Sequence, residues 1–362
     1  KNGTAIINYI GHGSASQLAQ EKLLHLNRGD LENIKTDGRL PLWIVGTCSF
    51  GHFDDPLSES FGEELIRYPM DAASAVISTC RPITVTGNER YTQDIFEELF
   101  SNPENIDKSI GICLQSIKNG SNESEYFHLF GDPALKVPIV YSSFDNSLVE
   151  PDTLKTLQTA NIKINQNIIT NGGTGVIVLK DAEREVTRSY NIASTSQTLS
   201  YKLPGRILFR GNFSFTSNEK NIKIRVPQDI SYSENPSKIL IYLSDNDNET
   251  STVISPISIV GGSTNLDDKG PIIIFKSESG RAFRNGDHKN PQEKIIVQIS
   301  DPLGINLTKE LGHSIILENL NTNESYDITD NFFYNSNSIT TGEILLDQFT
   351  QNENYFMISA WD

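Results

Sequence analysis

Two rhythms of apolar spacing divide this chain. In residues 1–140, short continuous apolar runs alternate with stretches of helical spacing. Thr4-Ala5-Ile6-Ile7-Asn8-Tyr9-Ile10, Pro41-Leu42-Trp43-Ile44-Val45-Gly46-Thr47 and Ala73-Ser74-Ala75-Val76-Ile77-Ser78 are such runs. Continuous β-branched runs suit strands covered on both faces, as in a parallel sheet. Between them, Leu57, Phe61, Leu65 and Tyr68 recur on one face of a predicted helix over 57–68. Asp55 is its expected N-cap and Pro56 its first helical residue. Tyr91–Phe100 and Lys108–Lys118 read as two more helices, the second closed by Asn119-Gly120. Strands and helices in this order predict an α/β domain with right-handed crossovers.

Beyond residue 140 the helical spacing stops. Alternating strands are predicted at Ile162–Ile164, Gly175–Leu179, Arg206–Phe215, Asn221–Val226 and Lys238–Leu243, with Gly, Asn, Ser and Asp turns between them. That predicts a β-sandwich over residues 141–265. A break at Gly261-Gly262-Ser263 and the polar run to Asp268 precede a further set. Ile272–Lys276, Lys294–Ser300, Ser314–Asn319, Gly342–Leu346 and Tyr355–Ala360 predict an immunoglobulin-like sandwich over 266–362. The expected class is therefore multidomain, α/β followed by all-β. Spacer or packing duty is the plain reading of both β domains.

Composition narrows the function classes. A hydrophobic fraction of 37% supplies packed cores. The net charge of −16 argues against a nucleic-acid partner, which needs a basic face. The acid is spread evenly: residues 1–140 hold 11 Lys/Arg against 19 Asp/Glu, half of the excess. No apolar run approaches the roughly 18 residues that span a bilayer, so no transmembrane segment is expected. No signal peptide is visible. The chain opens inside a predicted strand and closes on Trp361-Asp362, so it reads as a fragment of a longer protein, with any targeting signal outside it. Three cysteines, all in the first third, make no disulfide framework.

The chemistry centres on His12 and Cys48. His12 lies just past the first predicted strand, in Gly11-His12-Gly13-Ser14, and Cys48 just past the second, in Gly46-Thr47-Cys48-Ser49-Phe50-Gly51. Function in an open parallel sheet collects at the carboxyl ends of strands, and neighbouring strands lie about 4.8 Å apart. An imidazole and a thiol at one edge suit a nucleophile with its base. Glycine beside His12 lets a substrate approach and leaves the Gly13 N–H free for a developing oxyanion. Taken singly, a histidine after a strand is a turn residue and a cysteine is core; the pairing reverses those odds. A phosphate cradle at Gly11-x-Gly13 lacks a third glycine. A zinc site from Cys48, His52 and Cys80 lacks a matching second pair. No metal or cofactor is expected. Asp54 and Asp55 line a pocket for a basic substrate or serve structure, with Asp55 as a helix cap favoured. Cys80 and Cys113 read as inert, and Gly131-Asp132-Pro133 as a turn.

Three segments carry a family resemblance. Tyr9-Ile10-Gly11-His12-Gly13-Ser14, Thr47-Cys48-Ser49-Phe50-Gly51-His52-Phe53-Asp54-Asp55-Pro56 and Leu129-Phe130-Gly131-Asp132-Pro133-Ala134-Leu135 resemble the gingipain family of cysteine peptidases. The likeness continues through Leu208-Phe209-Arg210-Gly211, Val226-Pro227-Gln228-Asp229-Ile230 and Ile259-Val260-Gly261-Gly262, and then through Gly304-Ile305-Asn306, Gly312-His313 and Ala360-Trp361-Asp362. It implies the C-terminal half of a caspase-like peptidase domain, with Cys48 as nucleophile and His12 as general acid/base. The N–H groups of Gly13 and Cys48 would form the oxyanion hole. The family members most similar in these motifs are surface sortases of type IX secretion. For this chain they imply cleavage of C-terminal sorting domains from secreted cargo and transfer of cargo to anionic lipopolysaccharide. They also imply an outer-membrane partner protein and a site on the extracellular face of the outer membrane. The competing reading is a non-catalytic surface scaffold or adhesin that keeps a peptidase-like domain.

Overall fold

The computed structural model describes residues 4–36, 38–68, 71–100, 108–118, 120, 122–137, 140, 142–145, 147–192, 195–262, 269–290, 293–310, 312–346 and 354–362. The chain is mostly β-strand with few helices, and divides into two compact units, Lys1–Tyr141 and Ser142–Asp362. The α-helices among the described residues all lie in the first unit.

The three apolar runs of the first unit become strands β1 (Ile6–Ile10), β2 (Leu42–Gly46) and β3 (Ala75–Thr79). All residues of β2 and β3 are buried, which is why their sequences lack alternation. The order is β1-β2-β3 with parallel pairing, and a fourth strand, β4 (Phe127–Gly131), closes the sheet antiparallel to β3. An all-parallel sheet is therefore corrected to a mixed one. Helix α2 (Val85–Phe100) and helix α3 (Ile110–Ile117) lie between β3 and β4. Two successive helical passes return the chain to the sheet edge it left, so the next strand runs backwards.

Helix α1 (Phe61–Arg67) is shorter than its expected 57–68 span. Its N-cap is Ser60, which forms a reciprocal capping box with Glu63. Asp55 instead closes the turn before it, accepting from Leu57 N–H at 2.9 Å and from the Ser58 hydroxyl at 2.7 Å. The capping role assigned to Asp55 is corrected accordingly: Ser60 is followed by a glutamate at the third helical position and Asp55 is not. Leu57, 93% exposed, takes no part in the helix face.

Two cores flank this sheet. One face packs Leu42, Ile44, Ala75 and Ile77 against α2 and α3 through Tyr91, Ile95, Leu99, Ile110, Cys113 and Leu114. The other packs Trp43, Val45 and Val76 against Phe50, Phe61 and Leu65. The Asn119 proposed to close α3 lies outside the described residues.

In the second unit, all ten predicted strands appear, with no end moved by more than three residues. Six of the strands that appear besides them are 147–150, 153–155, 249–260, 324–327 and the pair 184–192 and 195–203. The last two pair only with each other. One nine-stranded mixed sheet carries strands from both of the segments expected as separate sandwiches, and one continuous core runs through them. The boundary expected at 265/266 lies outside the described residues. The join passes through Arg210, which is 7% exposed. Its guanidinium donates to the carbonyls of Phe332 at 3.0 Å and Thr329 at 2.8 Å, and lies 4.7 Å from the Phe333 ring centre. Burial pushes the Arg210 pKa below the usual arginine range. Arg210→Met strips two buried carbonyls of their donors, each worth about 1–3 kcal/mol. The variant is expected to lose about 2–4 kcal/mol, seen as a lower urea midpoint of the second unit.

Candidate active site

The parallel pairing of β1 and β2 sets Ile10 opposite Gly46, with Gly11 N–H donating to the Gly46 carbonyl at 3.2 Å. His12 and Cys48 each lie two residues beyond that matched pair. They therefore leave the sheet at neighbouring strand ends, at the same level of the carboxyl edge.

The two loops touch. A Cβ on Gly13 would lie 2.6 Å from Thr47 Oγ1 and 2.9 Å from its methyl group. Only a residue without a side chain fits there, so Gly13 is the means by which the histidine loop approaches the cysteine loop. Thr47 Oγ1 is itself buried and without a hydrogen-bond partner. The histidine loop is held from below: Tyr9 Oη donates to the His12 carbonyl at 2.7 Å, and Ala19 N–H to the same carbonyl at 2.8 Å. The short strands Gly13–Ser14 and Gln17–Leu18 place Gly13 opposite Leu18. With Ala19 bonded to His12, residues 13 and 18 form a non-hydrogen-bonded pair. The Gly13 N–H thus points away from that ladder.

The first half of the cysteine loop is pinned at several points. Thr79 Oγ1 donates to the Thr47 carbonyl. Ser49 N–H donates to the Arg81 carbonyl at 3.3 Å, Gly51 N–H to Thr79 at 2.9 Å, and Gly62 N–H to Phe50 at 3.0 Å. Phe50 is fully buried and stacks on Phe61 with ring centres 5.3 Å apart. The half-buried Cys48 thiol donates to the Ile83 carbonyl at 3.8 Å. Ser49 has φ +54°, a left-handed conformation that costs a non-glycine residue stability and persists only under such constraint.

Helix α2 buttresses the end of β2. Asn88 Nδ2 donates to the Gly46 carbonyl at 2.6 Å. A Cβ on Gly46 would lie 2.2 Å from Asn88 Oδ1 and 2.7 Å from Thr92 Oγ1. Thr84 caps the start of this helix, its hydroxyl accepting from Gly87 N–H at 3.1 Å. Tyr9, Asn88, Thr92 and Arg81 were missed by sequence reasoning. Asn88 and Thr92 share a helix face at i, i+4, which was the available signal.

The remaining candidates fall as follows. Asp54 is engaged in a two-pronged pair with Arg81, one bond of 2.8 Å, and lies 3.5 Å from His52 Nε2. The Arg81 guanidinium lowers the Asp54 pKa to about 2, so the carboxylate is charged at neutral pH. Cys80 and Cys113 are buried, and burial pushes both thiols up, away from the nucleophilic thiolate. His128 packs edge-on to Phe53 at 4.9 Å, and burial lowers its pKa. Among the described residues, no three His, Cys, Asp or Glu side chains gather as a metal site, and no helix is long and apolar enough to cross a membrane.

The sequence model of peptidase family C25 matches residues 1–138. No curated protein matches the chain. Among solved structures, the crystal structure of dimeric latent PorU from Porphyromonas gingivalis is similar at 18% identity and a TM-score of 0.35, over 81% of this chain and 31% of that one. A structure named only as a protease is similar at 15% identity and a TM-score of 0.32, over 61% of this chain and 54% of that one. The chain thus spans about a third and about half of these two proteins. Residues 1–138, the segment that holds both His12 and Cys48, thus match peptidase family C25, the gingipain family of cysteine peptidases.

Proposed function

We propose that this protein is a cysteine endopeptidase working through a Cys48–His12 dyad. The observation that carries the reading is the matched register of Ile10 and Gly46, with Gly13 seated on Thr47. That juxtaposition suits an imidazole and a thiol acting on one substrate carbonyl. His12 takes the thiol proton as the sulfur attacks. The C–N bond then breaks, and the leaving amine receives that proton from His12. The Gly13 and Cys48 N–H groups stabilise the oxyanion in between. Water, or an amine, then attacks the thioester and restores the thiol.

The motif resemblance extends the proposal to the substrate. Secreted cargo is cut before its C-terminal sorting domain, and release to water or transfer to anionic lipopolysaccharide resolves the same acyl-enzyme. The place of action is the extracellular face of the outer membrane, alongside a partner protein there. In this reading residues 1–140 are the second half of a caspase-like domain, and the following segments are immunoglobulin-like spacers.

Labelling of the full-length protein with a peptidyl acyloxymethyl ketone tests the dyad. Adduct is expected on Cys48 alone, far faster than on glutathione, and His12→Ala should remove that advantage. Labelling at the rate of a simple thiol would leave the non-catalytic scaffold or adhesin in its place.

A further inference from the structure

We infer that Arg81 is a positioning residue, which holds the turn after Cys48 in its strained form through a clasp with Asp54. The inference rests on the Cys48–His12 reading and concerns how that site keeps its shape.

Arg81 follows β3, at the same sheet edge as the two loops. It grips the cysteine loop at two places. Its carbonyl accepts the Ser49 N–H at 3.3 Å, immediately after the nucleophile. Its guanidinium takes both carboxylate oxygens of Asp54, five residues further along the loop. The guanidinium is itself anchored, with Nη1 donating to the Cys80 carbonyl at 2.8 Å. One residue of β3's end therefore fixes both the start and the far side of the 48–54 loop.

The segment between those grips needs holding. Ser49 sits at φ +54°, which a serine leaves readily once its surroundings loosen. Relaxation of Ser49 would turn the peptide that joins it to Cys48 and shift the backbone that carries the thiol. Buried contacts secure Phe50 and Gly51, but the Ser49 N–H bond is long, and Asp54 has no anchor in the core. A bidentate arginine fork supplies direction as well as attraction. A monodentate lysine would supply only the attraction.

Both partners are about 40% exposed, so the pair contributes little to global stability. The clasp also changes the role of Asp54. Its carboxylate is already matched by a guanidinium, which leaves it a poor acceptor for a basic substrate side chain.

The test uses the full-length protein and a peptide substrate spanning a cargo cleavage site. Cys48→Ala is run first, and activity that survives it sinks the dyad rather than the clasp. With Cys48-dependent activity established, Arg81→Gln and Asp54→Asn are expected to lower kcat by about 10-fold to 10²-fold, because a displaced reacting group costs that much. KM should change less than twofold, and the melting temperature should stay put. Arg81→Lys should recover only part of the rate. Ser49→Gly in the Arg81→Gln background should recover most of it, since glycine holds the left-handed turn without help. A wild-type kcat in Arg81→Gln would overturn the inference. So would a loss confined to KM, which marks a substrate contact, or failure of Ser49→Gly to restore any rate.

Discussion

Cys48→Ala in the full-length protein is expected to abolish peptide-bond cleavage, with kcat falling by at least about 10⁴-fold. In the proposed dyad the loss is that large because the thiolate is the bond-forming atom and alanine offers no substitute. Folding should be untouched. The side chain is half-buried and makes one weak sulfur bond, to the Ile83 carbonyl. Under the proposed function, cargo should then accumulate with its C-terminal sorting domain attached, readable as a mass difference on a gel. Circular dichroism and thermal melting should match the parent protein. Normal removal of the sorting domain by this variant would reject the dyad outright, whichever thiol was labelled.

Phe50→Ala should act through the opposite route, by stability first. Phe50 lies two residues after Cys48 and is fully buried among Trp43, Val45, Phe61, Leu65 and Val76. Truncating a buried phenylalanine costs about 3–5 kcal/mol through lost transfer energy and the cavity left behind. The stack on Phe61 at 5.3 Å is lost too. Because α1 begins at Phe61, the cysteine loop and the helix lose their common anchor together. A drop in the denaturation midpoint of the first unit and a concurrent loss of turnover are expected. Conservative Phe50→Leu should restore most of the stability. Unchanged stability in Phe50→Ala would mean that the loop is held by its backbone bonds alone.

The two substitutions separate what the residues around position 48 do. In the proposed dyad the thiol carries reaction and little structure. The aromatic ring carries structure and no reaction. Between them sits Ser49, whose left-handed backbone is the conformational cost of presenting the thiol at the sheet edge.

Much of this was legible in the chain itself. The runs at Leu42–Gly46 and Ala75–Thr79 read as covered strands because burial on both faces removes the need for alternation, whereas the equally continuous run Ile6–Ile10 is the sheet's edge strand and is at most half-buried. His12 and Cys48 stood out because glycines flank a histidine and a thiol just past two such runs. The antiparallel strand Phe127–Gly131 was hidden by its own turn chemistry: Gly131-Asp132-Pro133 drew the reading towards a loop, and indeed Asp132 Oδ1 accepts from Ala134 N–H at 2.8 Å. The ribbon formed by 184–192 and 195–203 was hidden for another reason. Its hydroxyl-bearing face, with Thr187 opposite Ser200 and Ser189 opposite Thr198, looks like loop composition.

Most strands and helices, and the candidate pair His12 and Cys48, were thus local properties, set by burial patterns and by residue chemistry at short range. The register that levels His12 with Cys48 and the seat of Gly13 on Thr47 were not. Nor were the support of Gly46 by Asn88 and the grip of Arg81 on Asp54. Each joins residues about 25 or more positions apart, whose meeting depends on how strands align and helices return. Spacing along a chain reports the faces of single elements; which atoms meet across elements is settled by packing, where one methyl group too many would force the two loops apart at Gly13 or the strand from helix α2 at Gly46.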